Sequence, residues 1–282
     1  MRVTRTSMAA VVMVGGLAAA GGPVLGPDGA SAWTAYVGLV EQRVAREERV
    51  ADPFLDTDRS ADGTARRAAL RSGEVLVEEV REPGADGEAF DVPSALVHHW
   101  RGAVFVPGAT IDGILARLAD APPGEGQPDV LRARVLSRTP DGLRVYLRVQ
   151  RTKFVTVVYD TEHEVRMARL APDRAATSSR AVRIDEIADA GTATERVLPP
   201  GEDHGFLWRW NAYWRYLQVP GGVFVECESV SLSRDVPAFV RALAGPLIRR
   251  TARESMDRTL VTFRDQMRRV AAPTPRARWT AR

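Results

Sequence analysis

Residues 206–219 read FLWRWNAYWRYLQV, and after Pro220-Gly221 the chain continues as GVFVECESVSLS at residues 222–233. Trp208, Trp210, Trp214 and Tyr216 all stand at even positions. A strand has a side-chain period of two, so these aromatics share one face of a sheet. Val219-Pro220-Gly221-Gly222 supplies the turn and the second stretch reads as the returning strand. Ser233-Arg234-Asp235-Val236-Pro237 then has the polar cap and early proline of a helix start. Phe239, Leu243, Leu247, Met256, Leu260, Phe263 and Met267 follow at mostly three- and four-residue spacing, an apolar stripe along one long helix. A hairpin with an aromatic face and a helix long enough to cross it predict a hydrophobic pocket between the two.

The segments upstream extend the sheet. Leu96 to Val106 reads as a strand ended by Pro107-Gly108, and Thr110 caps a helix carrying Ile111, Ile114, Leu115 and Leu118. From Val130 the period is two: Val130–Arg138, Leu143–Gln150, Phe154–Leu170 and Thr177–Ile187 are strands, with Thr139-Pro140-Asp141-Gly142 as one turn. Successive antiparallel strands with one dry face require a cover, and the terminal helix provides it. Before this region, Trp33 to Val50 is amphipathic. Trp33, Tyr36, Val37, Val40 and Val44 lie on one side, and Arg43, Arg46, Glu47 and Glu48 on the other.

This order of elements resembles the START-like, or SRPBCC, superfamily with its helix-grip fold. The resemblance covers Leu96 to about Val270, and its most specific part is WRWNAYWRYLQVPGGVFVECESVSLSRDVP. It implies an α+β fold in which a curved antiparallel sheet wraps a long C-terminal helix. It also implies a cavity for a lipid-, sterol- or polyketide-like molecule. The division expected is a leader at 1–32, an N-terminal helix and connector at 33–92, the helix-grip domain at 93–270 and a basic tail at 271–282.

Strand parity nominates the pocket residues. In the Phe154–Leu170 strand the odd positions are apolar, which turns Tyr159 and His163 inward; Val182 and Ile184 set the parity of the next strand and turn Arg180 inward. The hairpin turn decides the rest. A two-residue loop would set Glu226 opposite Arg215 on the face away from the tryptophans. A three-residue loop would set Glu226 beside Tyr216 and Glu228 beside Trp214. Pro220 cannot take the positive φ that primed two-residue turns need, so the three-residue loop is favoured. The expected ligand-binding set is therefore Tyr159, His163, Arg180, Trp208, Trp210, Trp214, Tyr216, Glu226 and Glu228. Arg180 or His163 would be the partner for the buried carboxylates.

The formal net charge of +3 is small, and the basic residues are dispersed rather than clustered with aromatics, which excludes nucleic-acid binding. The single Cys227 excludes an intramolecular disulfide, and four histidines with diverging neighbours suggest no metal. No nucleophile elbow, zinc-helix, P-loop or dinucleotide motif is present, and no cofactor is expected. Arg2 and Arg5, the apolar run Met8 to Ala20 and Ala30-Ser31-Ala32 have the form of an export leader cleaved before Trp33. The run is short of the ~20 residues that span a bilayer. The first expectation is an exported protein, periplasmic or extracellular, that binds an apolar or amphipathic small molecule. The alternatives are a cyclase- or hydrolase-type enzyme using Glu226 or Glu228 with His163, and a filled grip whose N-terminal helix docks a protein partner.

Overall fold

The structure, a computed structural model, describes residues 24–84, 87, 90–122, 124–152, 156–235 and 238–271, the last range with side chains from 249 to 269. Most of the expected leader, the tail beyond Ala271 and the side chains of Phe239, Leu243 and Leu247 lie outside the described residues.

The chain is a helix-grip α+β fold. Helix α1 (Pro27–Arg49), a 3-10 turn (Asp56–Asp58) and α2 (Gly63–Arg71) precede strands β1 (Leu76–Glu79) and β2 (Ala95–Pro107). Helix α3 (Ile111–Asp120) leads to β3 (Val130–Thr139), β4 (Gly142–Thr152), β5 (Thr156–Ala171), β6 (Arg174–Ala188) and the short β7 (Arg196–Val197). The hairpin β8 (Arg209–Val219) and β9 (Gly222–Arg234) then hands over to α4 (Ala238–Ala271). One sheet runs in the order β1-β2-β9-β8-β6-β5-β4-β3, with β7 beside β6. All of its pairings are antiparallel. The strand β1, from the stretch read as connector, is thus part of the same sheet as the grip. Thr110 caps α3 as its position predicts, accepting from the Gly113 amide at 3.1 Å.

The two faces of the sheet have different covers. On the concave face Met256, Leu260, Phe263 and Met267 of α4 are buried against Trp100, Val104, Val106, Val223, Val225, Cys227 and Tyr216. Gly102 marks a close approach, since a Cβ there would come within 2.5 Å of the Leu260 side chain and 3.1 Å of Met256. On the convex face α1 lays Trp33, Tyr36, Val40 and Val44 against Tyr213, Val230 and Leu232. Phe54, Leu55 and Leu70 cover Ala103, Phe105, Leu217 and Phe224. The apolar stripe of the N-terminal helix is therefore used on the chain's own sheet.

Helix α1 starts earlier than the sequence suggests, at Pro27, so Ala30-Ser31-Ala32 lies within its opening turns. The Ala30 amide donates to the Gly26 carbonyl at 2.9 Å, and the Thr34 hydroxyl donates to the Ala30 carbonyl. Gly29 is buried: a Cβ there would meet Leu25 at 2.7 Å and the Pro93 carbonyl at 2.9 Å.

The hairpin corrects the turn expectation. Val219 pairs with Gly222 and Arg215 with Glu226, so the loop is the two-residue Pro220-Gly221. Gly221 has φ +88°, which with proline before it is the pattern of a type II turn rather than a primed one. The neighbouring strand props this turn. The Gly108 amide donates to the Gly221 carbonyl at 2.9 Å, and Gly222 packs so closely on the Val106 carbonyl that no Cβ would fit.

Candidate functional site

The nine nominated residues divide between the two faces. Trp210, Trp214 and Tyr216 are on the concave face, where Trp214 and Tyr216 stack near Phe263 of α4 at 5.0 and 6.3 Å between ring centroids. Trp208 precedes β8 and packs beside the cluster formed by α1. Tyr159 and His163 do point inward, as strand parity predicts. Trp210 meets the edge of His163 at 5.1 Å. The His163 ring lies between two hydroxyls, with Thr161 Oγ1 3.0 Å from Nε2 and Ser179 Oγ 3.2 Å from Nδ1. Burial without a charged partner pushes its pKa down to about 4. The Tyr159 hydroxyl is buried with no hydrogen-bond partner among the described residues; burial first, then Glu186, pushes its pKa up.

Arg180 is not in this site. Its side chain is 62% exposed and pairs with Glu164 on the wet face at 3.0 Å. The cause is a bulge: Glu162 pairs with Arg183 but His163 pairs with Ala181, which leaves Val182 as an extra residue. Parity reverses there, so Ile184 and Ser179 both face inward while Val182 and Arg180 face out.

Glu226 and Glu228 are also misplaced by the sequence reading, though they are buried. They lie on the convex face, at 2% and 3% exposure, beneath α1 and the 3-10 turn. Glu226 accepts from the Thr57 amide and hydroxyl at 3.1 Å each, from the Asp56 amide at 3.3 Å and from Arg215. Glu228 accepts from Arg101 Nη2 and Nε at 3.0 and 3.1 Å, sits 2.7 Å from His99 Nε2, and is bridged by Arg43. Arg43 also pairs with Glu82, while Glu47 bridges Arg215 and Arg59. Burial alone would raise both carboxyls. For Glu226 the charges of Arg215 and Arg101 and two backbone amides outweigh it; for Glu228 the hydrogen bond from His99 and the charges of Arg101 and Arg43 do so. Both are held below the ordinary carboxylate range. These groups are saturated acceptors in a network that ties the N-terminal segment to the sheet.

Glu82, His99 and Glu228 bring ligand atoms within 4.8 Å of one another. The positive charge at that point is supplied by Arg43 and Arg101, and the other His99 nitrogen, Nδ1, is 2.7 Å from the Tyr36 hydroxyl. The sheet separates His163 from both glutamates, so the acid–base pair considered for an enzyme does not assemble. Ser179 beside a histidine with a depressed pKa and no orienting carboxylate is a weak nucleophile–base pair.

Two features escaped the sequence reading. Arg151 continues the inward parity of Leu143, Val145, Leu147 and Val149, and its guanidinium lies 5.8 Å from the Trp210 ring centroid while pairing with Asp129. The second is a row of small residues. Val165 pairs with Ser179, Ser179 with Ala212, Ala212 with Ser229 and Ser229 with Trp100, so one level of the concave face is floored by serine, alanine and serine between larger walls. Trp210 Nε1 donates to Ser229 Oγ at 3.2 Å, and Trp210, Ala212, Trp214, Ser179 and Ser229 are all only half-buried. At the sheet edge this row meets an open cleft of about 440 Å³ between β1–β2 and α4, lined by Val77, Glu78, Glu79, Trp100, Arg249, Arg250 and Arg253.

No family model and no curated protein matches the sequence. Among solved structures, a STAR-related lipid transfer protein fragment from Xanthomonas axonopodis aligns over 64% of this chain and 97% of its own, at 21% identity and TM-score 0.41. A protein from Thermus thermophilus aligns over 61% and 98%, at 15% identity and TM-score 0.41. The human StarD13 lipid transfer and protein localization domain aligns over 75% and 96%, at 9% identity and TM-score 0.39. The likeness is one of START-like folds and ends there. The site's chemistry rests on this chain's own geometry.

Proposed function

We propose that this protein is an exported, non-catalytic binder of an apolar or amphipathic small molecule, held along the concave face between Trp210, Trp214 and α4. One observation carries the reading. At the level of Ser179, Ala212 and Ser229, the concave face changes from the large aliphatic residues packed under Met256–Met267 to small, half-buried ones framed by tryptophans. An apolar wall with a few convergent hydroxyls is the ordinary make-up of a small-molecule site. His163, Thr161, Thr177 and Ser179 are its polar groups, and each already has a hydrogen bond that a ligand hydroxyl or carbonyl could join. No described helix is long and apolar enough to cross a membrane.

The test is native mass spectrometry of the protein purified from the compartment to which it is exported, followed by extraction of bound small molecules. An Ala212→Phe variant is the control. Phenylalanine would fill the trough floor, so co-purified ligand and the tryptophan-fluorescence response to apolar probes should disappear while the fold survives. Ligand retained at wild-type occupancy by a folded Ala212→Phe protein would refute the location.

A further inference from the structure

The row of small residues leads along the ladder to a residue that lines the open cleft. Trp100, which pairs with Ser229, also pairs with Glu79 of the edge strand β1, and both line the 440 Å³ cleft. Two strand positions along, α4 is pressed onto the sheet at Gly102, where Leu260 and Met256 leave no room for a Cβ. The cleft is therefore bounded on one side by the helix–sheet contact at Gly102, and on the other Trp100 joins it through the β2–β9 ladder to Ser229.

Its outer wall is cationic. Arg249, Arg250 and Arg253 come from a single stretch of α4, and residues four apart on a helix share a face. Arg250 is engaged by Glu254 at 2.8 Å, but no carboxylate of the described residues lies within ion-pair distance of Arg249 or Arg253. The two acidic residues of the cleft are already matched. Glu78 pairs with Arg66 at 3.0 Å and Glu79 with Arg81 at 3.6 Å. An indole floor, the apolar Val77 and two guanidinium groups without a described carboxylate partner meet in this cleft. Guanidinium favours planar, bidentate recognition of carboxylate or phosphate.

We propose that this cleft is the mouth of the binding site and holds the acidic headgroup, carboxylate or phosphate, of an amphipathic ligand whose apolar part lies along Ser229, Ala212 and Ser179. This rests on the binding function proposed above and specifies its ligand as an anionic amphiphile.

The experiment compares dodecanoate, dodecyl phosphate, dodecanol and inorganic phosphate on the full chain by tryptophan fluorescence and calorimetry. It uses wild type, the double variant Arg249→Gln/Arg253→Gln, and Ala212→Phe. The expected result is that the two acidic amphiphiles bind about tenfold or more tightly than dodecanol, the size of one charge-assisted bidentate contact. The arginine double variant should lose that preference while keeping its affinity for dodecanol, and Ala212→Phe should lose all three amphiphiles. Equal affinity for acid and alcohol, or a preference untouched by the arginine variant, would overturn the headgroup assignment and leave the binding function standing. Inorganic phosphate binding as tightly as dodecyl phosphate would overturn it in favour of a free-anion site. Failure of every amphiphile to bind would overturn the binding function itself.

Discussion

Replacing Glu228 with glutamine tests whether the buried carboxylates are structural or belong to the ligand site. Glu228 receives Arg101 at 3.0 and 3.1 Å, His99 at 2.7 Å and Arg43 from α1, all beneath a covering helix. Glutamine keeps the shape but removes the charge, and it turns an amide N–H₂ toward groups that are themselves donors. Removing one partner of a buried ionic group costs about 3–5 kcal/mol. For a chain of this size each kcal/mol is worth about 2–4 °C, so the melting temperature should fall by about 6–20 °C. The pH dependence carries the sign. A carboxyl held below its ordinary value of 4.5 contributes stability that is complete above that pH and is lost as pH falls toward the folded-state value. The gap between wild type and Glu228→Gln should therefore narrow below pH 4.5 by about 1.4 kcal/mol per unit. Urea unfolding at pH 7, 4.5 and 3.5 measures it. An Arg43→Met background should absorb part of the effect, because coupled groups are non-additive by about 0.5–3 kcal/mol. An unchanged urea midpoint at pH 7, or a gap that widens in acid, would refute the assignment of Glu228 to the network under α1.

Two further outcomes are expected. His163 is buried with its pKa pushed down to about 4, so the unfolded chain binds its proton more tightly. Stability attributable to it should fall as pH drops from 6.5 to about 4, by on the order of 3 kcal/mol in total, and His163→Gln should flatten that part of the profile; an identical profile in the variant would contradict burial of the ring. If the chain is exported as proposed, its mature form should begin upstream of Gly26, since cutting after Ala32 would remove the first turns of α1 from Pro27 and the Gly29 contact with Leu25 and Pro93. An intact mass beginning at Trp33 would show that the fold does without that turn.

Much of the architecture is legible in the alternation of side chains. Trp210 to Tyr216 and Val157 to Met167 keep parity, and the structure places His163, Trp210 and Trp214 on one face as that parity requires, whereas Trp208, before the strand begins, turns to the α1 side. The reading fails where backbone geometry breaks the period without a residue that announces it. The bulge at Val182 has no glycine, and its extra residue is an exposed valine, so apolarity points the wrong way. The turn at Pro220-Gly221 is held by contacts from the end of β2, which local turn preferences do not contain. Glu226 and Glu228 are the more instructive case. Alternation shows that they share a face, but whether that face is wet depends on a distant cover, 185 residues from Glu228 at Arg43, which carries Arg43 and Glu47 on what reads as its polar side.

The two faces bear on each other at one level of the sheet. Ser229 and Trp100, on the concave side, are the chain neighbours of Glu228 and of His99 and Arg101, on the convex side. At this level the front of β9 offers only Ser229, and Trp100 is the large apolar group that packs from β2. A cavity in an ordinary core is costly because its lining lacks partner atoms. Here the same strand positions are clamped from behind by charge-assisted hydrogen bonds to Glu228, and α1 is stapled over them by Arg43. A buried ionic network often contributes little net stability, but it fixes one geometry strongly once its partners are in place. The proposed site needs this from its floor: a ladder between β2 and β9 whose register is held from behind by Glu228. If the concave face is the binding site proposed above, weakening the N-terminal segment should loosen ligand binding before it unfolds the sheet.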